Sequence, residues 1–234
     1  MTYLGSMTEA RYEDKALVAG ILASAFDQNA SVNYIVPQDH RRKDRLLQLM
    51  TYAFDVCFHY GKVLLSDDHM ACALITFPEQ RKFGWRTITQ DWQLVSRCLG
   101  WSRLQRTLSR EKAIKKKQEQ LSGQFCYLWF IGVNPEQQGR GNGTALLKEV
   151  MKIAAEQDRI LLLETSVEQN IPWYERAGLI AYDQLDLGYR LYFFQRLPET
   201  VQSCIGGTYC EKNSSSAMEK LSSLAAAARH SRRT

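Results

Sequence analysis

The sequence predicts an α/β chain of the α+β kind, built on one mixed sheet of about six to seven strands. Three observations predict it. Two amphipathic helical patterns are followed directly by a β-type hairpin. Next, a strand pattern, a glycine-rich turn, a helical pattern and a second apolar strand follow in sequence, which reads as a parallel βαβ unit. Two more strand patterns come after that unit and would close the sheet. A chain of 234 residues that is 45% hydrophobic can build one sizeable core, and residues 1–198 read as a single domain.

A short strand is expected around residues 2–7. Leu17, Ile21 and Ala25, with Val18, Leu22 and Phe26, repeat at helical spacing over residues 9–27; Leu46, Met50, Ala53 and Cys57 do so over residues 38–60. Residues 29–37 between them read as a loop, from their polar side chains and Pro37. The runs 61–66 and 70–77 flank Asp67-Asp68-His69, a hairpin signal. Ile88, Trp92, Val95 and Leu99, then Leu104, Leu108 and Ile114, keep helical spacing up to the Ser122-Gly123 break, so two helices are expected in an insertion over residues 83–122. After the glycine-rich turn, Leu146, Leu147, Val150, Met151 and Ala154 form one stripe of a helix ending near Asp158. Residues 160–166 form a buried strand. Residues 170–177 form a short helix, with Pro172 near its start and Gly178 as its stop. Strands are expected over residues 179–185 and 189–197. The stretch 199–234, with Gly206-Gly207, Ser214-Ser215-Ser216 and a basic end, reads as a disordered or expression-derived tail; a localisation or binding tail is the alternative.

Composition excludes several function classes. No apolar run reaches the roughly 20 residues that span a bilayer, and Met1-Thr2-Tyr3-Leu4-Gly5-Ser6 lacks the charged start and apolar centre of a signal peptide. The expectation is a cytoplasmic protein with no membrane partner. Six scattered cysteines form no Cys-x-x-Cys pair, and four histidines show no ligand spacing, so buried thiols and no metal are expected. The net charge of +5 has a local source: between Trp101 and Leu121 there are seven Lys/Arg against Glu111 and Glu119. With little aromatic interleaving, that segment reads as a solvated helix surface in preference to a nucleic-acid face.

The chemistry concentrates in Val133-Asn134-Pro135-Glu136-Gln137-Gln138-Gly139-Arg140-Gly141-Asn142-Gly143-Thr144. Three alternate glycines let successive backbone amides point inward, and the start of a helix adds partial positive charge, so the turn suits a pyrophosphate. A P-loop would need Gly-Lys-Ser/Thr, but Thr144 and Ala145 follow Gly143; a dinucleotide fingerprint needs a wider third glycine and a later acidic ribose contact. An ordinary glycine-rich turn is the plain alternative.

The spacing Gln138-x-x-Gly141-x-Gly143 resembles the coenzyme A loop of the GNAT superfamily of N-acetyltransferases. Ile131-Gly132-Val133 before it, and Asn170-Ile171-Pro172-Trp173-Tyr174-Glu175-Arg176-Ala177-Gly178 after it, resemble the same family in order and spacing. The wording is most similar to the puromycin N-acetyltransferase-like branch. The resemblance implies a GNAT fold with a splayed parallel pair, helices on both sheet faces and acetyl-CoA as co-substrate. It gives the oxyanion and pantetheine contacts to the backbone of Ile131, Gly132 and Val133, with a bulge accommodated at Gly132. It gives the pyrophosphate to Gln138, Gly139, Arg140, Gly141, Asn142, Gly143 and Thr144, a place near the pantetheine arm to Asn170, and the general-acid role to Tyr174, whose alternative is a buried core tyrosine. The strand Phe125–Val133 lacks the carboxylate many relatives use as base. Glu164 is the nearest replacement, since a carboxylate inside an apolar strand is costly without a partner or a purpose. A structural ion pair, or a water chain acting as base, stands beside that reading. The implied activity is transfer of acetyl to a primary amine of a small molecule, by a monomer or homodimer with no nucleic-acid partner. Acetylation of protein lysines or N-termini, or a non-catalytic acyl-CoA-binding module, are the alternatives.

Overall fold

The computed structural model describes residues 7–81 and 101–198. In chain order the elements are β1 (Met7–Glu9), α1 (Lys15–Ala25), α2 (Ala30–Ile35), α3 (Arg42–Tyr60), β2 (Gly61–Ser66), β3 (Ala71–Thr76), α4 (Trp101–Gln118), β4 (Phe125–Val133), α5 (Asn142–Glu156), β5 (Ile160–Thr165), α6 (Ile171–Arg176), β6 (Ile180–Asp186) and β7 (Arg190–Arg196). The seven strands form one mixed sheet in the order β1-β2-β3-β4-β5-β7-β6. Only β4 and β5 run parallel. This is the expected α/β class with seven strands. None of the described helices is long and apolar enough to cross a membrane.

The sheet is buried on both faces where it matters. Along β2, Val63 and Leu65 join a core with α1 and α3, while Leu64 between them joins a core on the opposite face with α5. β3 repeats this, with Cys72 and Leu74 on the first face and Ala71, Ala73 and Ile75 on the second. That is why 61–66 and 70–77 read as continuous apolar runs with little alternation. Phe54 and Met50 of α3 and Leu22 of α1 fill the first core, and Leu146, Leu147 and Val150 of α5 fill the second; all six are at most 1% exposed. Three of the six cysteines, Cys57, Cys72 and Cys126, are free thiols inside these cores.

The helix α4 is fixed to the sheet chiefly by an apolar contact. Ile114 (4% exposed) packs on Leu191 and Phe193 of β7. Burying such a side chain contributes about 2 kcal/mol. The accompanying Lys117–Asp183 ion pair (2.7 Å) keeps both side chains about a quarter exposed and contributes under ~1 kcal/mol. The basic segment is therefore only partly a solvated surface: Arg103 donates to the Tyr34 carbonyl (2.9 Å), and the Arg106 guanidinium lies 3.9 Å from the Tyr34 ring centre.

Several expected boundaries differ. The first strand is Met7–Glu9, later than expected; residues 2–6 lie outside the described residues. The first α-helix begins at Lys15 because the Asp14 carboxylate accepts from the Arg11 amide at 2.7 Å and closes a 3₁₀ turn first. The stretch 29–37 is not all loop: Asn29 caps α2, its side chain accepting from the Val32 amide at 3.1 Å. The same polar residue that suggested a loop starts a six-residue helix too short to show periodicity. The bulge sits at Trp129: Leu74 pairs with Phe130 and Ile75 with Leu128, so Trp129 is the extra residue. Gly132 pairs regularly with Cys72. Its lack of a side chain serves another purpose, since a Cβ there would meet Leu22 of α1 at 2.9 Å and Ala25 at 3.2 Å. The expected helix over Ile88, Trp92, Val95 and Leu99 lies outside the described residues.

The passage from α3 into β2 depends on Gly61. A Cβ there would lie 2.0 Å from the Ile75 carbonyl oxygen and 2.7 Å from the Thr76 Cα, and neither backbone atom can move without shifting β3. Gly61→Ala is expected to destabilise the protein by at least ~1–3 kcal/mol, read as a lower urea midpoint at unchanged slope. An unchanged midpoint would show that the helix-to-strand junction tolerates a side chain.

Candidate functional site

β4 and β5 pair from Phe125 opposite Ile160 to Leu128 opposite Leu163, and then separate. Beyond that point β4 continues alongside β3, with Ile131 opposite Ala73 and Val133 opposite Ala71, while Glu164 and Thr165 pair only with β7. Antiparallel ladders bond alternate residues. The Asn134 amide donates to the Met70 carbonyl at 2.8 Å, so Gly132 two residues earlier also turns its amide toward β3. Ile131 and Val133 turn theirs into the gap. Of the three backbone positions expected at the site, two turn their amides into the gap and Gly132 does not.

At the far end of β4 the glycine-rich turn leads into α5. Gly139 (φ +78°) and Gly141 (φ +93°) occupy the left-handed region, which non-glycine residues enter only with strain. Gly143 lies inside the helix and needs no such freedom; a Cβ there would touch Val133 and Trp173 at ordinary distances of 3.5 and 3.7 Å. Among the described residues, the amides of Gly139, Arg140, Gly141, Asn142, Gly143 and Thr144 have no protein acceptor, as expected for the first turn of a helix. Three side chains brace the turn: Gln138 Nε2 donates to the Val133 carbonyl (3.4 Å), Asn142 Nδ2 to Asp68 Oδ2 (2.9 Å), and Trp173 Nε1 to Thr144 Oγ1 (3.1 Å). The result is a set of free backbone donors at a helix N-terminus, held beside Val133 and α6.

The gap between β4 and β5 opens onto a cavity of about 360 Å³ roofed by α2 and α4. Of the residues expected at a site, Ile131, Glu164, Asn170 and Tyr174 line it; the glycine-rich turn does not, and lies beyond Val133. Tyr174 is only 4% exposed, wedged between the rings of Trp173 (4.7 Å) and Phe194 (5.4 Å). Its hydroxyl has no partner among the described residues, and burial pushes its pKa upward, so it stays protonated at neutral pH. A buried hydroxyl without a partner costs about 1–3 kcal/mol, which a ligand acceptor would relieve. Asn170 ends the 3₁₀ turn Glu168–Asn170 just ahead of α6.

Glu164 is held by two donors. Gln118 Nε2 reaches one carboxylate oxygen at 2.9 Å, and the Tyr127 hydroxyl makes a short hydrogen bond to the other. Desolvation raises the pKa of Glu164, opposed by these bonds and by the nearby Arg110 guanidinium. Arg110 in turn pairs with Glu111 and donates to Tyr189 Oη (3.1 Å) and Ser31 Oγ (2.7 Å). Sequence reasoning missed Tyr127, Gln118 and Arg110. The alternation along β4 could have put Tyr127 on one face, but its meeting with Glu164 requires the parallel register, and Gln118 and Arg110 sit on a helix whose basic surface suggested only solvent.

Residues 80–179 match the model of the acetyltransferase (GNAT) family. Solved structures share the fold. A histone acetyltransferase HPA2-related acetyltransferase from Corynebacterium glutamicum matches at 15% identity, covering 83% of this chain and 96% of that one, with TM-score 0.60. An N-acetyltransferase from Staphylococcus aureus Mu50 matches at 15% identity, 82% and 100% coverage and TM-score 0.51. A polyamine N-acetyltransferase from Drosophila melanogaster, which forms N-acetylagmatine, matches at 11% identity, 82% and 99% coverage and TM-score 0.53. The family match falls on the segment that holds β4, the glycine-rich turn, α5, β5 and α6, and the solved structures share the fold of the described residues.

The raised Glu164 value has a stability signature. A carboxyl whose folded pKa exceeds its unfolded value stabilises the fold fully below the unfolded value and loses that contribution as pH rises through the folded one. The stability of the native chain relative to Glu164→Gln is therefore expected to decline as pH rises from near 4.5, the ordinary glutamate value. Urea titrations of both proteins between pH 4 and 8 measure it. A difference that grew with pH would mean that the hydrogen bonds outweigh burial and the carboxylate is stabilised in the fold.

Proposed function

From the match of residues 80–179 to the acetyltransferase (GNAT) family and the fold shared with solved acetyltransferases, we propose that the chain is an N-acetyltransferase that moves an acetyl group from acetyl-CoA to the primary amine of a small molecule by direct attack. The observation that carries the reading is the separation of β4 and β5 onto a cavity of about 360 Å³. That volume falls within the range of small-molecule sites, and residues of α2 and α4 line the cavity together with the strands. The Drosophila neighbour is named for acetylating polyamines, which agrees with an amine as acceptor.

The co-substrate supplies an activated acyl carbon and a thiol leaving group. The chain supplies the rest. Free amides at the start of α5 and the partial charge of that helix suit the pyrophosphate, with Gly139 and Gly141 allowing the turn. The Ile131 and Val133 amides, pointing into the gap, suit a carbonyl oxygen gaining negative charge. Glu164 is the candidate base: Tyr127 and Gln118 fix its orientation, and a raised pKa brings it closer to that of the amine proton it would accept. Tyr174 is the candidate acid, its protonated hydroxyl free to donate to the departing sulfur. Asn170, beside it on the cavity wall, is the candidate contact for the pantetheine arm.

The reaction is tested by thiol release when the protein is incubated with acetyl-CoA and a panel of amines; binding of acetyl-CoA without release for any amine would leave only a binding module. Tyr174→Phe keeps the ring packing and removes the proton, and is expected to lower kcat by roughly 10²-fold with little change in acetyl-CoA affinity. Loss of affinity in its place would make the residue a binding group. A Cβ at Gly141 meets nothing within 4 Å and the turn is exposed, so Gly141→Val is strained chiefly by its backbone angle and should fold yet lose calorimetric binding of coenzyme A. Unchanged affinity would put the nucleotide elsewhere.

A further inference from the structure

The cavity wall carries information about the acceptor beyond its being an amine. The bulge at Trp129 puts two consecutive side chains, Trp129 and Phe130, on the same face of β4, against the core formed with α1 and α3. Each meets an aromatic partner edge-on: Tyr52 of α3 at 6.0 Å from Trp129, and Phe26 at 5.1 Å from Phe130. Opposite them, Leu108 of α4 lines the cavity while 59% exposed, an apolar side chain turned toward space and not into a core. The part of the cavity away from the β4–β5 gap is thus an aromatic and aliphatic slot.

Among the described residues the charges on the wall are few, and all but one are matched. Among the described lining residues the acidic and basic groups are Arg81, Arg110, Glu111 and Glu164. Arg110 neutralises Glu111 and is also engaged with Ser31 and Tyr189. Arg81 donates to the Tyr52 hydroxyl at the other side of the slot. Among the described lining residues one carboxylate, Glu164, therefore remains to receive a cation, at the inner end where the strands separate. A second or third ammonium on the same acceptor would lie among apolar rings or near a guanidinium, where desolvation and like charge both oppose it.

Building on the acetyltransferase reading of this site, we infer that the acceptor is a monoamine carried on an aromatic or bulky apolar body, with its amine toward Glu164 and its body against Trp129 and Leu108. Polyamines and the lysine side chains of basic peptides fit this wall poorly. Aromatic contacts of this kind contribute about 0.5–1.5 kcal/mol beyond area burial, up to about tenfold in affinity each.

The test is a competition among acceptors on the native protein. Thiol release is measured with tyramine, phenethylamine and tryptamine, against spermidine, agmatine and a lysine-rich peptide. The aromatic monoamines are expected to show a kcat/KM at least about tenfold higher. Trp129→Ala is expected to lower kcat/KM for tyramine by about tenfold through KM, to lower it less for butylamine, and to leave the KM for acetyl-CoA unchanged. Tyramine is also titrated calorimetrically into protein saturated with coenzyme A. Spermidine or the peptide turning over as well as tyramine would overturn the inference while leaving acetyl transfer standing. Tyramine binding with no thiol released from any amine would support the slot and overturn acetyl transfer. Tyramine neither binding nor reacting would overturn the inference whatever the other amines do.

Discussion

Parallel strands that lie side by side normally stay paired, because each buried amide left without an acceptor costs about 1–3 kcal/mol. After Leu128 and Leu163 this pair does not. What holds the strands apart is their outer neighbours: β3 keeps β4 in an antiparallel ladder out to Val133, and β7 keeps β5 paired through Thr165. The extra residue at Trp129 coincides with the point of separation and adds local twist to β4 just where the two ladders diverge. Everything of chemical interest lies along that gap. The Ile131 and Val133 amides face into it, Glu164 and Tyr174 line it, and the cavity and the glycine-rich turn lie at its two ends.

The gap also explains why the polar groups around it are so heavily braced. A carboxyl inside an apolar strand would destabilise the fold unless satisfied, and Glu164 is satisfied by one donor from β4 and one from α4. The second donor exists only because α4 is seated on β7 by Ile114, with the nearby Lys117–Asp183 pair contributing less. Arg110 on the same helix reaches Ser31 at the start of α2 and Tyr189 before β7, so the two covering helices and the sheet edge share one polar network. At the same end of α2, Asn29 both caps the helix and accepts from Ser166, which follows β5. The roof of the cavity and its carboxylate are thus parts of one connected set of contacts, in which moving α4 would also release Glu164.

Much of this architecture was legible in the linear order of residues, because helical and strand periodicities are local. The three-and-four spacing of Leu46, Met50, Ala53 and Cys57 marks the buried face of α3, and the uninterrupted apolar runs of β2 and β3 mark strands covered on both sides. Pro172 and Gly178 bracket α6 because one has its backbone angle preset for a helix start and the other can turn left-handed at its end. The glycines of the turn announced a close backbone geometry, and at Gly139 and Gly141 the left-handed angles are there. Where sequence reading went astray, one local signal served two masters. Asn29 suits a loop and a helix cap equally, and Gly132 suits a bulge as well as close helix packing.

The chain by itself determined most of the helices and strands, though not α2, together with the parallel βαβ unit, the glycine-rich turn at a helix start and the presence of one carboxylate in an apolar strand. Those follow from backbone geometry and burial acting over a few residues. Tertiary structure alone decided that β7 inserts between β5 and β6, that the bulge falls at Trp129, that β4 and β5 separate where they do, and that Tyr127 and Gln118 meet Glu164. Each of these depends on register between strands, or on where a helix seats, across 30 or more residues of sequence separation. Such long-range choices are settled by the summed packing of whole faces, which no single stretch of residues encodes.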